Sequence, residues 1–211
     1  MKKFLFMMAM LGACAMTACS APNPADRMET SSAPRHDAPL AAASLDAVFL
    51  RISPPKTDAA PFMRQYGTLT GSTDDKQPPV VCLSSQEELA AFTDAASSYF
   101  ELSNAYGVYP AFSETVTQYD AAFFEENRLA VLYIEATSGS VRYEVSGIRQ
   151  GNDTATILLK CSAPAAGTCD MAYWLACVPI PCKIAEEDTP VCAQISSGAF
   201  LGMRRITDLR P

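Results

Sequence analysis

Residues 129–134 read LAVLYI, six consecutive apolar residues between Arg128 and Glu135. An uninterrupted run of this length is typical of a strand buried on both faces. Strand patterns continue downstream: residues 141–146 alternate apolar and polar, and residues 154–160 and 171–178 follow with turn residues between them. The sequence therefore predicts an antiparallel β-meander built around the 129–134 strand.

Helices are expected before this meander. Ser85 and Glu88 form a capping box, in which the hydroxyl and the carboxylate accept hydrogen bonds from amides at the start of a helix. The helix is expected to continue to about Phe100, and shorter helices are expected over residues 113–119 and 121–125, the last one capped by Asp120. Residues 47–53 and 66–70 read as leading strands. The predicted class is α+β, with an antiparallel β-meander sheet packed by one or two helices.

The first eighteen residues have the features of a bacterial export signal. Two lysines precede an apolar segment, and small residues precede Cys19. The apolar segment of about a dozen residues is shorter than the roughly 20 that a spanning helix needs. The small residues before the cysteine resemble the lipobox of bacterial lipoproteins, which implies cleavage after Ala18 and diacylglycerol on Cys19. Cys14 is the alternative, because residues 11–14 match the same pattern.

Residues 19–45 are rich in Ala, Pro and Ser and show no hydrophobic periodicity, so they are expected to form a flexible linker. Residues 46–211 remain for one α+β globular domain. Removing residues 1–18 takes away two lysines and no acids, which leaves 14 basic and 23 acidic residues and a net charge of −9. Nucleic acid is therefore not an expected partner, because it requires a basic face.

The sequence offers little for catalysis. Its one histidine, His36, falls in the expected linker, so the folded domain has no residue for a Ser-His-Asp triad, a Cys-His pair or a histidine-rich zinc site. The adjacent glutamate pairs do not single out two carboxylates that work together. We expect no enzyme activity, no cofactor and no metal site.

Six cysteines follow the signal, an even number that suggests disulfides in an exported chain. Cys161 with Cys169 is one candidate pair, because the two residues flank a loop between strands. Cys182 with Cys192 is the other, because these residues bracket an acidic turn. Cys82 and Cys177 are expected either as buried thiols or as a third bond.

Residues 119–183 resemble the PrcB C-terminal domain family, named for a bacterial surface protein associated with a protease complex. The resemblance lies in Tyr119-Asp120, in residues 123–127 and 129–133, in the Ser138-Gly139-Ser140 turn, and in the closing strand from Asp170 through Trp174 to Lys183. It implies a noncatalytic extracytoplasmic accessory domain that stabilises or modulates an exported protease.

Taken together, these features predict a lipid-anchored binding module of the cell envelope, held at the membrane by its N-terminal lipid. The expected partner is another envelope protein, and the resemblance points to a protease. The candidate partner surface is Ser138, Gly139, Ser140 and Trp174, the sole tryptophan, if its ring faces outward. Two alternatives are a solute-binding lipoprotein with a pocket between helix and sheet, and an envelope hydrolase that uses two carboxylates.

Overall fold

The computed structural model describes residues 40–41, 45–67, 77–151, 153–186 and 189–197. The expected signal, Cys14, Cys19, His36 and most of the expected linker lie outside these ranges. Eight strands and four α-helices occur within them. The strands are β1 Leu40–Ala41, β2 Val48–Ile52, β3 Val80–Leu83, β4 Asn127–Ala136, β5 Arg142–Gln150, β6 Ala155–Ser162, β7 Ala172–Pro181 and β8 Val191–Ser197. The helices are α1 Ala60–Tyr66, α2 Gln86–Ala96, α3 Phe112–Thr115 and α4 Ala121–Glu126, with a 3-10 helix at Val116–Gln118.

The strands form two four-stranded sheets. The first has the order β2-β7-β4-β3 and the second the order β1-β5-β6-β8. All neighbours pair antiparallel except β6 and β8, which are parallel. The predicted α+β class, with a sheet packed by helices, is confirmed.

The meander differs from the prediction in its connectivity. Strand β4 pairs with β7, and the β5–β6 hairpin between them in sequence belongs to the second sheet. The hairpin belongs to the second sheet because β5 has only one apolar face. Its residues 142–146 alternate between exposed and half-buried. A strand with one polar face suits a sheet that has solvent on one side.

Strand β4 lies at the centre of three layers. One apolar cluster fills the space between the two sheets and contains Leu132 and Ile134 of β4 together with Ile157 of β6. A second cluster joins the other face of the first sheet to the helices and contains Val131 of β4 and Phe92 of α2. All six residues of the LAVLYI run are buried, as expected for a strand covered on both faces.

The helix starts follow the predicted caps. The Ser85 hydroxyl accepts a hydrogen bond from the amide of Glu88 at 3.1 Å, and the Glu88 carboxylate accepts one from the amide of Ser84 at 2.7 Å. The Asp120 carboxylate accepts from the amide of Phe123 at 2.9 Å. Both caps confirm the sequence prediction.

Three segments near the ends of the described ranges limit or extend the predicted secondary structure. The expected strand over residues 66–70 is not supported at its start, because Tyr66 ends α1. Leu40 and Ala41, which fall within the expected linker, pair with Ile148 and Gly147 of β5. Strand β8 occupies Val191–Ser197, and residues 198–211 lie outside the described ranges. None of the helices in the described ranges has the length and hydrophobicity that a membrane crossing requires.

Candidate functional site

Two loops meet at one end of the sandwich, and the strand pairing explains why. Residues 137–141 connect β4 to β5, and residues 163–171 connect β6 to β7. Ala136 pairs with Ala172 where the loops leave the first sheet, and Arg142 pairs with Ser162 where they leave the second. Both loops therefore cross between the same two pairs of strands and must run side by side.

Hydroxyl groups fasten the two loops to each other. Thr168 Oγ1 lies 3.4 Å from Ser138 Oγ and 3.3 Å from Ser140 Oγ. The Thr168 amide donates to Ser140 Oγ at 3.1 Å, and the Ser140 amide donates to Ser138 Oγ at 3.2 Å. The predicted Ser138–Ser140 turn is thus held against the 163–171 loop at a fixed position.

An ion pair closes the floor of this site. Arg51 Nη2 of β2 lies 3.1 Å from Asp170 Oδ2, and the Gly139 amide donates to Asp170 Oδ1 at 3.3 Å. The Arg51 guanidinium also lies 5.0 Å from the ring centre of Tyr106. The pKa of Asp170 is lower than its ordinary value because the side chain of Thr168, the amide of Gly139 and Arg51 all favour the carboxylate.

These groups line an open cleft of about 660 Å³. Its described lining consists of Arg51, Gly139, Ser140, Arg142, Ser162, Ala163, Pro164, Thr168 and Asp170. Among these residues Asp170 is the one carboxylate, and it is engaged by Arg51. The cleft is open to solvent, and charged and hydroxyl side chains line it together with Gly139, Ala163 and Pro164.

Two members of the predicted partner surface are buried. Trp174 is 2% exposed and packs between the sheets, because even-numbered residues of β7 face the inter-sheet core. Its neighbour Tyr173 is half-buried on the helical side, so the two rings lie on opposite faces of β7, and Trp174 is not an exposed anchor. Gly139 is covered by Arg51 and Asp170, while Ser138 and Ser140 remain partly exposed.

The described cysteines are free thiols, so neither predicted pair is joined in the structure. Cys161 packs against the inter-sheet core while Cys169 is exposed. Cys192 lies between the buried residues Val191 and Ala193 on β8 and so faces away from the core, with its sulfur 3.3 Å from Thr156 Oγ1. Formation of Cys161–Cys169 and Cys182–Cys192 in the exported chain stays a prediction for thiol mapping.

Burial makes the thiols of two other cysteines, Cys82 and Cys177, unreactive. Burial raises the pKa of Cys82 to about 11, against an opposing effect of the nearby Arg128 guanidinium. Burial raises the pKa of Cys177 to about 12. Neither thiol is a nucleophile near neutral pH, because the thiolate is the reactive form. In the described ranges no three His, Cys, Asp or Glu side chains are arranged to hold a metal ion.

Arg128 is a buried cation that the sequence did not single out. It is 5% exposed, and its Nη1 donates to the backbone oxygens of Glu186 at 2.6 Å and Thr189 at 3.1 Å. Its Nε donates to Ser84 Oγ at 3.2 Å. The side chain therefore joins the end of β3, the start of β4 and the segment before β8.

A second concavity lies on the helical side. It has a volume of about 490 Å³ and runs between α2 and the 3-10 helix, with Leu89 and Val116 on its walls. Tyr119 also lines it, and its hydroxyl is buried near Cys177. Burial raises the pKa of this phenol.

Sequence reasoning found the two loops but missed the charged residues of the cleft. One signal was available: Arg51 interrupts the otherwise apolar stretch AVFLRIS at residues 47–53. A cation in such a strand needs a partner or a route to solvent. Comparisons with protein-family models, with curated proteins and with solved structures find no match to this chain.

Proposed function

We propose that this protein is a lipid-anchored accessory module of the bacterial cell envelope, which binds another envelope protein through the cleft between residues 138–142 and 162–170. The observation that carries the proposal is the construction of the cleft. Its loops are exposed, yet they are fixed to each other and to two sheets by hydrogen bonds and an ion pair. Loops held by a rigid scaffold suit recognition.

Attachment to the envelope is supported by the sequence alone. The features of an export signal and the lipobox-like residues before Cys19 support a domain that lies outside the cytoplasm on a lipid tether. Stable attachment requires more than one acyl chain, which a multiply acylated N-terminal cysteine supplies. Mass spectrometry of the mature N-terminus tests this part, and an unmodified Cys19 together with an unmodified Cys14 would remove the anchor.

A protease is the partner class that the resemblance of residues 119–183 to the PrcB C-terminal domain family favours. In this role the module supports or modulates a protease without performing chemistry itself. The cleft agrees with such a role, because its single carboxylate is held in an ion pair and has no second acid among the described lining residues. Paired carboxylates of a hydrolase require two acids that face one substrate bond.

The solute-binding alternative has less support. The concavity between helix and sheet is lined by Ala60 and Arg64 of α1 and by Tyr133 and Glu135 of β4, and its volume is about 220 Å³. Pockets for small molecules usually measure roughly 300–1,000 Å³. The cleft at the loop end falls within this range of volumes, but it is more open to solvent, which favours an exposed segment of a protein partner.

In-cell photocrosslinking tests the proposal. A photoreactive residue is placed at Ser162, on the exposed rim of the cleft, and for comparison at Ser98, an exposed residue after α2. We expect a defined adduct with an envelope protein from position 162 and none from position 98. No adduct from position 162, or equal adducts from both positions, would argue against the cleft as the binding surface.

A further inference from the structure

Arg142 is fixed in the cleft by contacts that use only part of its guanidinium. Its Nη1 donates to the backbone oxygens of Gly139 at 2.8 Å and Val141 at 2.9 Å. The guanidinium carbon lies 5.7 Å from the centre of the Trp174 ring, at the distance of a cation–π contact. The long side chain therefore has a defined orientation although it is exposed.

The other edge of the same guanidinium is open. Among the described residues nothing accepts a hydrogen bond from Arg142 Nε or Nη2, and no carboxylate pairs with this residue. The N–H of Nε and one N–H of Nη2 are parallel and spaced to match the two oxygens of a carboxylate. Arg51 differs from Arg142, because its Nη2 is already paired with the carboxylate of Asp170.

The charge of the cleft favours a ligand with a single negative charge. Two arginines and one aspartate among its lining residues give a net charge of +1, on a chain whose net charge is −7. A dianionic phosphate would meet one unpaired guanidinium and the nearby negative charge of Asp170. A carboxylate, with one negative charge and two oxygens, matches the open Nε–Nη2 edge of Arg142.

We propose that the Nε–Nη2 edge of Arg142 binds a carboxylate group of the partner protein, supplied by a C-terminus or by an acidic side chain. This inference rests on the proposed function and adds the chemical class that the cleft recognises. The interaction weakens with added salt, because the pair lies near the surface.

Binding of dye-labelled peptides to the full-length chain in detergent micelles tests the inference by fluorescence anisotropy. The first probe is a hexapeptide of Ala and Ser in which the free C-terminal carboxylate is the only ionised peptide group, the second is its C-terminal amide, and the third is that amide with one central Glu. A fourth carries phosphoserine in place of Glu. We expect the amide without Glu to bind at least about tenfold more weakly than the better of the two carboxylate peptides.

The first and third probes separate the two sources of the carboxylate. Preference for the first identifies a C-terminus, and preference for the third identifies an acidic side chain. Equal binding of the plain amide and both carboxylate peptides overturns the inference. Tighter binding of the phosphoserine peptide overturns it as well.

Two variants of Arg142 locate the effect. Arg142→Lys keeps the charge but removes the parallel donors, and we expect about tenfold weaker binding of the preferred peptide. Arg142→Met should weaken it further, while the matched control Arg149→Met, an exposed arginine on the same strand, should stay within about twofold. Wild-type affinity in Arg142→Lys would contradict the bidentate contact.

The peptide and crosslinking experiments fail independently. An unchanged adduct at position 162, together with no discrimination among the peptides, leaves the proposed function in place and removes the carboxylate. Tryptophan emission of each variant reports whether the fold is intact, because Trp174 is the sole tryptophan and is buried. The comparison of peptides on the unaltered chain remains decisive even if a variant does not fold.

Discussion

Replacing Arg128 by methionine should lower the free energy of unfolding by about 3 kcal/mol. The guanidinium makes three hydrogen bonds, to Ser84 Oγ and to the backbone oxygens of Glu186 and Thr189. Hydrogen bonds to a charged group contribute roughly 1.5–3 kcal/mol each, so the loss is at least about 4.5 kcal/mol. Methionine returns part of this, because it fills similar space without the desolvation penalty of a buried cation.

Urea unfolding followed by tryptophan fluorescence measures the effect. Trp174 is 2% exposed, so its emission should move to longer wavelength when the sandwich opens. With a slope of about 2 kcal/mol per M, the expected change lowers the unfolding midpoint by about 1.5 M. The unfolding midpoint of Arg128→Lys should fall between those of the wild type and Arg128→Met, since an ammonium cannot reproduce the planar arrangement of donors.

Arg149→Met is the matched control, because Arg149 is exposed on β5 and makes no salt bridge within the described residues. It should change the free energy of unfolding by less than about 0.5 kcal/mol. An Arg128→Met variant with the same midpoint as this control would refute the reasoning. The three bonds would then contribute no net stability beyond the burial of an equivalent apolar side chain.

Three further predictions concern a helix start, the cleft and the thiols. Ser85→Ala removes the acceptor for the first turn of α2 and should lower the free energy of unfolding by about 1 kcal/mol in the same urea assay; an unchanged midpoint would contradict the role of the cap. Because the pKa of Asp170 is lowered in the folded state, its contribution to stability is complete above the ordinary value of 3.8 and is lost as the pH falls through the lowered value. The stability difference between the wild type and Asp170→Asn should therefore disappear in acid, and a difference that grows there would reverse the assigned sign. In the reduced, folded protein iodoacetamide should modify the exposed Cys169 and leave the buried Cys177 unmodified until unfolding, as measured by peptide mass spectrometry, and equal rates at both thiols would show that β7 is not protected.

The centre of the fold could be predicted because its signals are local. An apolar run such as 129–134 requires cover on both faces, and Ser85 and Asp120 supply acceptors at positions where only a helix start needs them. The position of the β5–β6 hairpin could not be predicted in the same way. Its alternation fits an antiparallel strand equally well beside β4 or in a second sheet, and only the packing of Ile157 and Leu159 against β4 and β7 decides between them.

The site was predictable as two loops but not as a cleft. The turn at residues 138–140 and the loop before β7 were visible in the sequence, and a contact between them follows only from the pairing of β4 with β7. The ion pair joins Arg51 to Asp170, which lie 119 positions apart in the sequence, so no local sequence pattern predicts it. Trp174 was misplaced because alternation on β7 shows that two neighbouring rings face opposite ways without showing which face is exposed.

The first sheet holds Cys82 and Cys177 too far apart for a disulfide, so a bond between them would report on the folding state of the chain. Cys82 packs on the side facing the second sheet, whereas Cys177 belongs to the cluster beneath the helices. Cys82 also lies opposite Ala130, which pairs with Val178, so the two cysteines are two strands apart, a separation of roughly 9.6 Å. A disulfide spans at most about 7 Å between α-carbons. A chain recovered with an internal bond between Cys82 and Cys177 must therefore have been oxidised while its sheet was not assembled, and that bond marks a molecule that lacked the native fold when the bond formed.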